Sequence, residues 1–215
     1  MSKTVFLFSG QGSQYQGMGK ELCDAYPEIK SMYDEASEIL GFDLADKSWN
    51  APEEELAQTV ISQPAIMMTS LAALECMKKN GIEFSAVAGH SLGEYAAMVA
   101  SGVLSFKDGF RVIKARAAAM QKAAENQHGV MCAVMGQTPE DIEKICSSVD
   151  GYVTPVNYNS AVQTVIAGEP EAVDAAIAKF AEIGAKTIKP KVSAAFHSKL
   201  MQPAADEFEA ELKKI

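Results

Sequence analysis

Two rhythms of apolar and polar positions run along the chain. Thr4 to Phe8 is a short apolar run that meets a glycine-rich stretch, Ser9 to Gly19, and this predicts strand, tight loop and then helix. From Pro27 to Leu40, and again from Gln63 to Asn80, apolar residues recur at helical spacing, with Gly81 ending the second run. Ala86 to Gly89 predicts another strand, which turns at once into Ser91 and a helix over Leu92 to Ala100. Ser105 then caps an alanine-rich helix that runs to about Glu125.

After Gly129 the rhythm shortens. Val130 to Met135, Val153 to Val156, Thr164 to Ala167 and Thr187 to Val192 predict strands, and Pro139 to Ser148 and Pro170 to Ile183 predict helices. The order βαββαβ is that of a ferredoxin-like unit, closed on itself and so able to stand as an insert. The insert is expected over residues 129–192, with residues 1–128 and 193–215 forming a larger subdomain. Past Val192, Ala194 to His197 leads into a last helix with Met201, Ala205, Phe208, Leu212 and Ile215 on one apolar face.

Composition agrees with an α/β class. Of 215 residues 48% are hydrophobic and 22% charged, enough to bury a core, while few aromatics and many alanines suit helices packed closely on sheet. The net charge of -9 argues against nucleic-acid binding, which needs a concentrated basic surface. The start carries no cleavable signal and no apolar run reaches membrane-span length, so a soluble cytoplasmic protein with no membrane partner is expected. The four cysteines, Cys23, Cys76, Cys132 and Cys146, form no C-x-x-C pair and read as reduced, buried thiols.

The chemistry gathers around a few residues. Gly89-His90-Ser91-Leu92-Gly93 has the form G-x-S-x-G between a strand and a helix, the context of a nucleophile elbow. The following helix would aim its N-terminal dipole at a developing oxyanion. A serine nucleophile needs a base, and the histidines are His90, His128 and His197. His90 sits within the elbow and reads as structural, and His128 as a solvated loop residue. His197 remains, although a histidine in its setting is more often packed or capping than a base. The loop Gly10-Gln11-Gly12-Ser13-Gln14 fails the nucleotide-binding templates, because Tyr15 and Met18 stand where they need glycine and lysine. It is either a plain glycine-rich turn or a source of backbone donors. Arg116 is flanked by alanines, and from sequence alone the better reading is a side chain that snorkels to solvent. Pointing into a cleft instead, its fork would suit one carboxylate.

Together, Val5 to Gly19, Gln63-Pro64-Ala65, Gly89 to Ala97, Arg116 with Met120, Asn157 to Gly168 and Ala195 to Ser198 resemble the malonyl-CoA:acyl carrier protein transacylase family, part of the wider acyltransferase group. The resemblance implies an α/β-hydrolase-like large subdomain with an inserted ferredoxin-like subdomain. It implies Ser91 as the acylated nucleophile, His197 as the base, and the backbone N–H groups of Gln11 and Leu92 as the oxyanion hole. Arg116 would bind the free malonyl carboxylate. Met120, Asn159, Phe196 and Gln63 would line the substrate cleft, and Leu92 and Phe196 resemble malonyl-selective members. The implied reaction moves malonyl from malonyl-CoA to the phosphopantetheine thiol of acyl carrier protein, in fatty-acid or polyketide synthesis, with no metal or redox cofactor. Family members continue past the last helix to a strand and a loop that orients the histidine, so the resemblance implies a C-terminally truncated chain with a weakened site. Lys186, Lys189, Lys191 and Lys199 lie in a stretch free of Asp and Glu, which is expected to steer an acidic carrier protein or simply to be solvated. The rival readings are an esterase or thioesterase that uses water as acceptor, and a noncatalytic fragment.

Overall fold

The computed structural model describes residues 3–190 and 194–215. The chain is α/β and divides into two compact units, Met1–Gln121 with Ala210–Ile215, and Lys122–Glu209.

In the first unit, β1 (Val5–Phe8) and β2 (Ala86–Gly89) pair in parallel, with Val5 opposite Ala86 and Leu7 opposite Ala88. Between them run α1 (Lys20–Ala25), α2 (Pro27–Leu40), α3 (Leu44–Asn50), α4 (Glu53–Leu56) and α5 (Thr59–Lys79). After β2 come α6 (Gly93–Ala100) and α7 (Phe106–Asn126), of which the stretch from Lys122 on belongs to the second unit. Phe6 and Phe8 of β1 face the core formed with Tyr33, Met67, Met68, Leu71, Leu92 and Phe110. The opposite face of the two strands, with Val5, Leu7, Ala86 and Ala88, is exposed.

The sequence rhythm finds α2 and β2 with their observed ends and the helix that follows the glycine-rich stretch, α1, and misses α3 and α4, which are too short to show a period. α5 begins four residues before the expected Gln63, because the side chain of Gln121 accepts from the Thr59 N–H (3.0 Å) and so caps the first turn. Pro64 therefore lies inside the helix. Contrary to expectation, α5 is long and apolar enough to pass for a membrane span by length and composition. It is the core helix of its unit, and most of its apolar stretch is buried.

The second unit follows a different plan. β3 (Val130–Met135), α8 (Pro139–Cys146), β4 (Val153–Ser160), β5 (Gln163–Gly168), α9 (Pro170–Glu182) and β6 (Lys186–Ile188) give an antiparallel sheet of order β4-β5-β3-β6. Cys132, Val134, Ile142, Val153, Ile166, Val173 and Phe180 form its core, between one sheet face and the two helices. β4 extends four residues past the expected Val156 through two irregularities in its pairing, and Pro155 is tolerated because β4 is an edge strand. Lys191 and Val192, the end of the expected last strand, lie outside the described residues.

The final helix, α10 (Gln202–Leu212), departs from its expected face. Ala205, Leu212 and Ile215 are exposed, and Ala204 is the buried residue. A 3-10 turn at Lys199–Met201 precedes it, and Met201 and Phe208 of the expected face are half-buried.

Candidate active site

β2 ends at Gly89 and α6 begins at Gly93, so His90, Ser91 and Leu92 make the whole reversal. Ser91 takes φ 55°, in the left-handed region, which costs a residue with a side chain about 1–3 kcal/mol. A Cβ on Gly89 would lie 2.0 Å from the carbonyl carbon of Gly93, and one on Gly93 would lie 2.2 Å from the carbonyl oxygen of Phe8. Both obstacles are backbone, so only glycine lets strand, turn and helix approach this closely. The His90 N–H donates to the Phe8 carbonyl (3.0 Å) and the Gly93 N–H to the His90 carbonyl (3.0 Å), which ties the turn to β1 as well as to itself.

The loop after β1 rests on this turn, since a Cβ on Gly10 would come within 2.7 Å of the His90 carbonyl oxygen. Gln11 is thereby held next to the elbow. Among the described residues, the backbone N–H groups of Gln11 and Leu92 donate to no protein acceptor. Leu92 is fully buried, a position in which an unpaired N–H is rare.

Arg116, from α7, does not snorkel. It is only 9% exposed, and its guanidinium reaches the elbow. Nη2 donates to Ser91 Oγ (3.1 Å) and Nη1 to Oε1 of Gln63 (2.8 Å). Gln63 is fully buried on α5, and its amide nitrogen is shared between Oε1 of Gln11 (3.4 Å) and the sulfur of Met120 (3.3 Å). The Gln11 amide donates in turn to Thr59 (3.4 Å). The Arg116 head lies over the ring of Tyr95, 5.3 Å from its centroid. Burial pushes the guanidinium pKa down, while Tyr95 and Glu94 push it back up. It stays a cation, with further N–H donors in a fixed fork beside the serine. Burial also raises the Tyr95 phenol, an effect Arg116 partly reverses.

Four of the expected site residues, Gln11, Ser91, Arg116 and Met120, are thus joined by hydrogen bonds through Gln63, with Leu92 adjoining Ser91 in the chain. Gln63 carries more of this network than the sequence alone shows. Tyr95 and Thr59 carry no signal in the sequence: Tyr95 lies two residues past the last glycine of the elbow, where apolar spacing makes it an ordinary residue on a helix.

Asn159, Phe196 and His197 belong to the second unit. Asn159 is exposed near the end of β4, and its amide donates to Oε1 of Gln163 (3.0 Å). Phe196 is buried and His197 exposed. His197 takes φ 63°, the second non-glycine residue with positive φ among those described. The turn around it closes on the Ala195 carbonyl, which accepts from the Ser198 hydroxyl (2.6 Å) and the Ser198 N–H (3.3 Å). Ala195 is seated on Gly129, where a Cβ would meet its own at 2.6 Å. His90 and His128 are both exposed. Among the described residues no group of His, Cys, Asp and Glu side chains is arranged to hold a metal ion.

Residues 5–215 match the family model described as an acyl transferase domain. The malonyl CoA-acyl carrier protein transacylase of Bacillus subtilis is 43% identical over 211 residues, covering 96% of this chain and 67% of the relative. The enzyme of the same description from Escherichia coli is 42% identical over 219 residues, covering 100% and 71%. Among solved structures, the malonyl CoA-acyl carrier protein transacylase of Clostridium perfringens superposes with a TM-score of 0.93 at 42% identity, over 100% of this chain and 68% of that one. A malonyl-transacylase in complex with its type II polyketide acyl carrier protein gives 0.94 at 40% identity, over 100% and 71%.

Proposed function

This chain belongs to the acyl transferase domain family, and on that premise we propose that Ser91 is the residue that carries the acyl group. The protein is a malonyl-CoA:acyl carrier protein transacylase, which moves malonyl from malonyl-CoA to the carrier protein in fatty-acid synthesis. The observation that carries the site assignment is the pairing of a strained serine with a buried arginine bonded to its hydroxyl. A desolvated cation at a nucleophile suits an acyl group that brings its own carboxylate.

In the first half-reaction, Ser91 Oγ attacks the thioester carbonyl and its proton passes to His197, the base by the family pattern. The negative charge on the carbonyl oxygen is taken up by the N–H groups of Gln11 and Leu92, whose lack of other acceptors supports this role. The carbon–sulfur bond breaks, and the CoA sulfur leaves with the proton that His197 returns. In the second half-reaction the phosphopantetheine thiol of the carrier protein gives its proton to His197 and attacks the malonyl-serine ester, and Ser91 recovers its hydrogen. Arg116 holds the malonyl carboxylate throughout. Met120, Phe196 and Asn159 complete the substrate contacts.

The finer architecture is an α/β-hydrolase-like subdomain, residues 1–128 and 193–215, carrying a ferredoxin-like insert over residues 129–192. The element order of the insert and the central place of β3 and β5 in its antiparallel sheet support this reading.

Intact-mass measurement after mixing with malonyl-CoA tests the assignment. A malonyl adduct is expected on the parent protein and none on Ser91→Ala; an adduct of equal yield on Ser91→Ala would sink it. Adding carrier protein should clear the adduct faster than water does, which separates a transferase from a thioesterase.

A further inference from the structure

A guanidinium at the end of a long side chain keeps its aim only if something fixes its plane. Gln63 takes one edge of the Arg116 head at Nη1 (2.8 Å), a contact about which the head can still turn. Tyr95 provides a second constraint from another direction. Its ring lies under the Arg116 Cζ, 5.3 Å from the centroid. Tyr95 stands in the first turn of α6, where its N–H donates to the Leu92 carbonyl (3.1 Å). The platform for the cation thus lies four positions after the nucleophile, just past the same strand-to-helix reversal, and Arg116 Nη2 donates to Ser91 Oγ (3.1 Å).

We propose that Tyr95 is a positioning residue that sets the preference for carboxylate-bearing acyl groups, by holding the plane of the Arg116 guanidinium beside Ser91. The inference rests on the reading of Arg116 as the carboxylate receptor. Tyr95 need not touch the acyl group. Its ring face attracts the cation, which an aliphatic side chain of similar size does not do. An acetyl group makes no demand on the guanidinium, so a loss of its alignment falls on malonyl alone.

The test is calorimetric titration with malonyl-CoA and with acetyl-CoA in a Ser91→Ala background, which cannot turn over either. The readout is the ratio of the two dissociation constants. The background protein should favour malonyl-CoA, and Arg116→Ala should bring the ratio to about one. Tyr95→Leu should cut the preference about tenfold and Tyr95→Phe, which keeps the ring, less than about twofold, with acetyl-CoA affinity moving less than about twofold. An unchanged ratio in Tyr95→Leu, or equal losses for the two ligands, overturns the inference while leaving Arg116 in place. If Tyr95→Leu does not fold, an unchanged ratio in Tyr95→Met, which fills similar space without a ring, does the same. A background ratio of about one, or one that Arg116→Ala leaves intact, removes Arg116 from the acyl pocket and overturns both readings.

Discussion

Ser91 and His197 are the non-glycine residues with positive φ among those described, at 55° and 63°. Strain of this kind persists where the surroundings hold a side chain in an orientation that a relaxed backbone would not give. At Ser91 it has a measurable consequence. Ser91→Gly should be more stable than Ser91→Ala by about 1 kcal/mol, because glycine accepts the left-handed region freely. A chain of this size should then melt about 2–4 °C higher as the glycine variant, with neither protein acylated; equal melting points would mean that the turn is relaxed. Arg116 is the other residue at which local structure becomes specificity. Arg116→Ala should lower the efficiency of malonyl-CoA acylation about 100-fold, equivalent to about 3 kcal/mol of charged hydrogen bonding. Acylation by acetyl-CoA should change only severalfold. Arg116→Lys should rescue poorly, since a point charge cannot serve Gln63, Ser91 and a carboxylate at once. Similar losses for both substrates would show that Arg116 serves stability instead.

Among the elements, the short reversal between β2 and α6 has the least room. Gly93→Ala would place a methyl group 2.2 Å from the Phe8 carbonyl oxygen, and neither the strand nor the helix can yield without opening the pairing of β1 with β2. The expected cost is about 3 kcal/mol, seen as a lower denaturant midpoint together with loss of the malonyl adduct. A parental midpoint would mean that helix and strand pack more loosely than the structure has them. Other element ends are set from a distance. α5 starts at Thr59 because Gln121, far along the chain, caps it, whereas Ser105 caps α7 from its own sequence neighbourhood by accepting from the Asp108 N–H (3.0 Å). The acid-free lysine stretch is divided in the same way by tertiary partners. Lys189 is ion-paired to Asp174 of α9, and the Lys199 ammonium lies 3.9 Å over the Tyr152 ring centroid. Lys191 lies outside the described residues.

At the scale of the molecule, each unit has its own core. The core of the second is drawn from β3 to α9, all within residues 129–190, so that segment expressed alone should fold and unfold cooperatively in denaturant. A noncooperative melt would show that it depends on the rest of the chain. In the first unit Val5 is 50% and Leu7 77% exposed on the side of β1 away from its core.

The sequence by itself determined what depends on neighbours in the chain. The strand–Gly–x–Ser–x–Gly–helix order dictates the elbow because its steric demand is met within five residues, Gly89 to Gly93. The alternation and spacing of apolar residues dictate most of the second unit because each strand and helix there is short, regular and half-buried. Tertiary structure alone decided the fate of Arg116. Its alanine flanks allow either exposure or burial, and the choice fell to Gln63 and Tyr95, 53 and 21 positions away, which offer hydrogen bonds and a ring face that offset the loss of water. The exposed face of β1 is likewise beyond local reading, since Val5, Phe6, Leu7 and Phe8 are all apolar and only packing distinguishes the side facing the core from the side left bare.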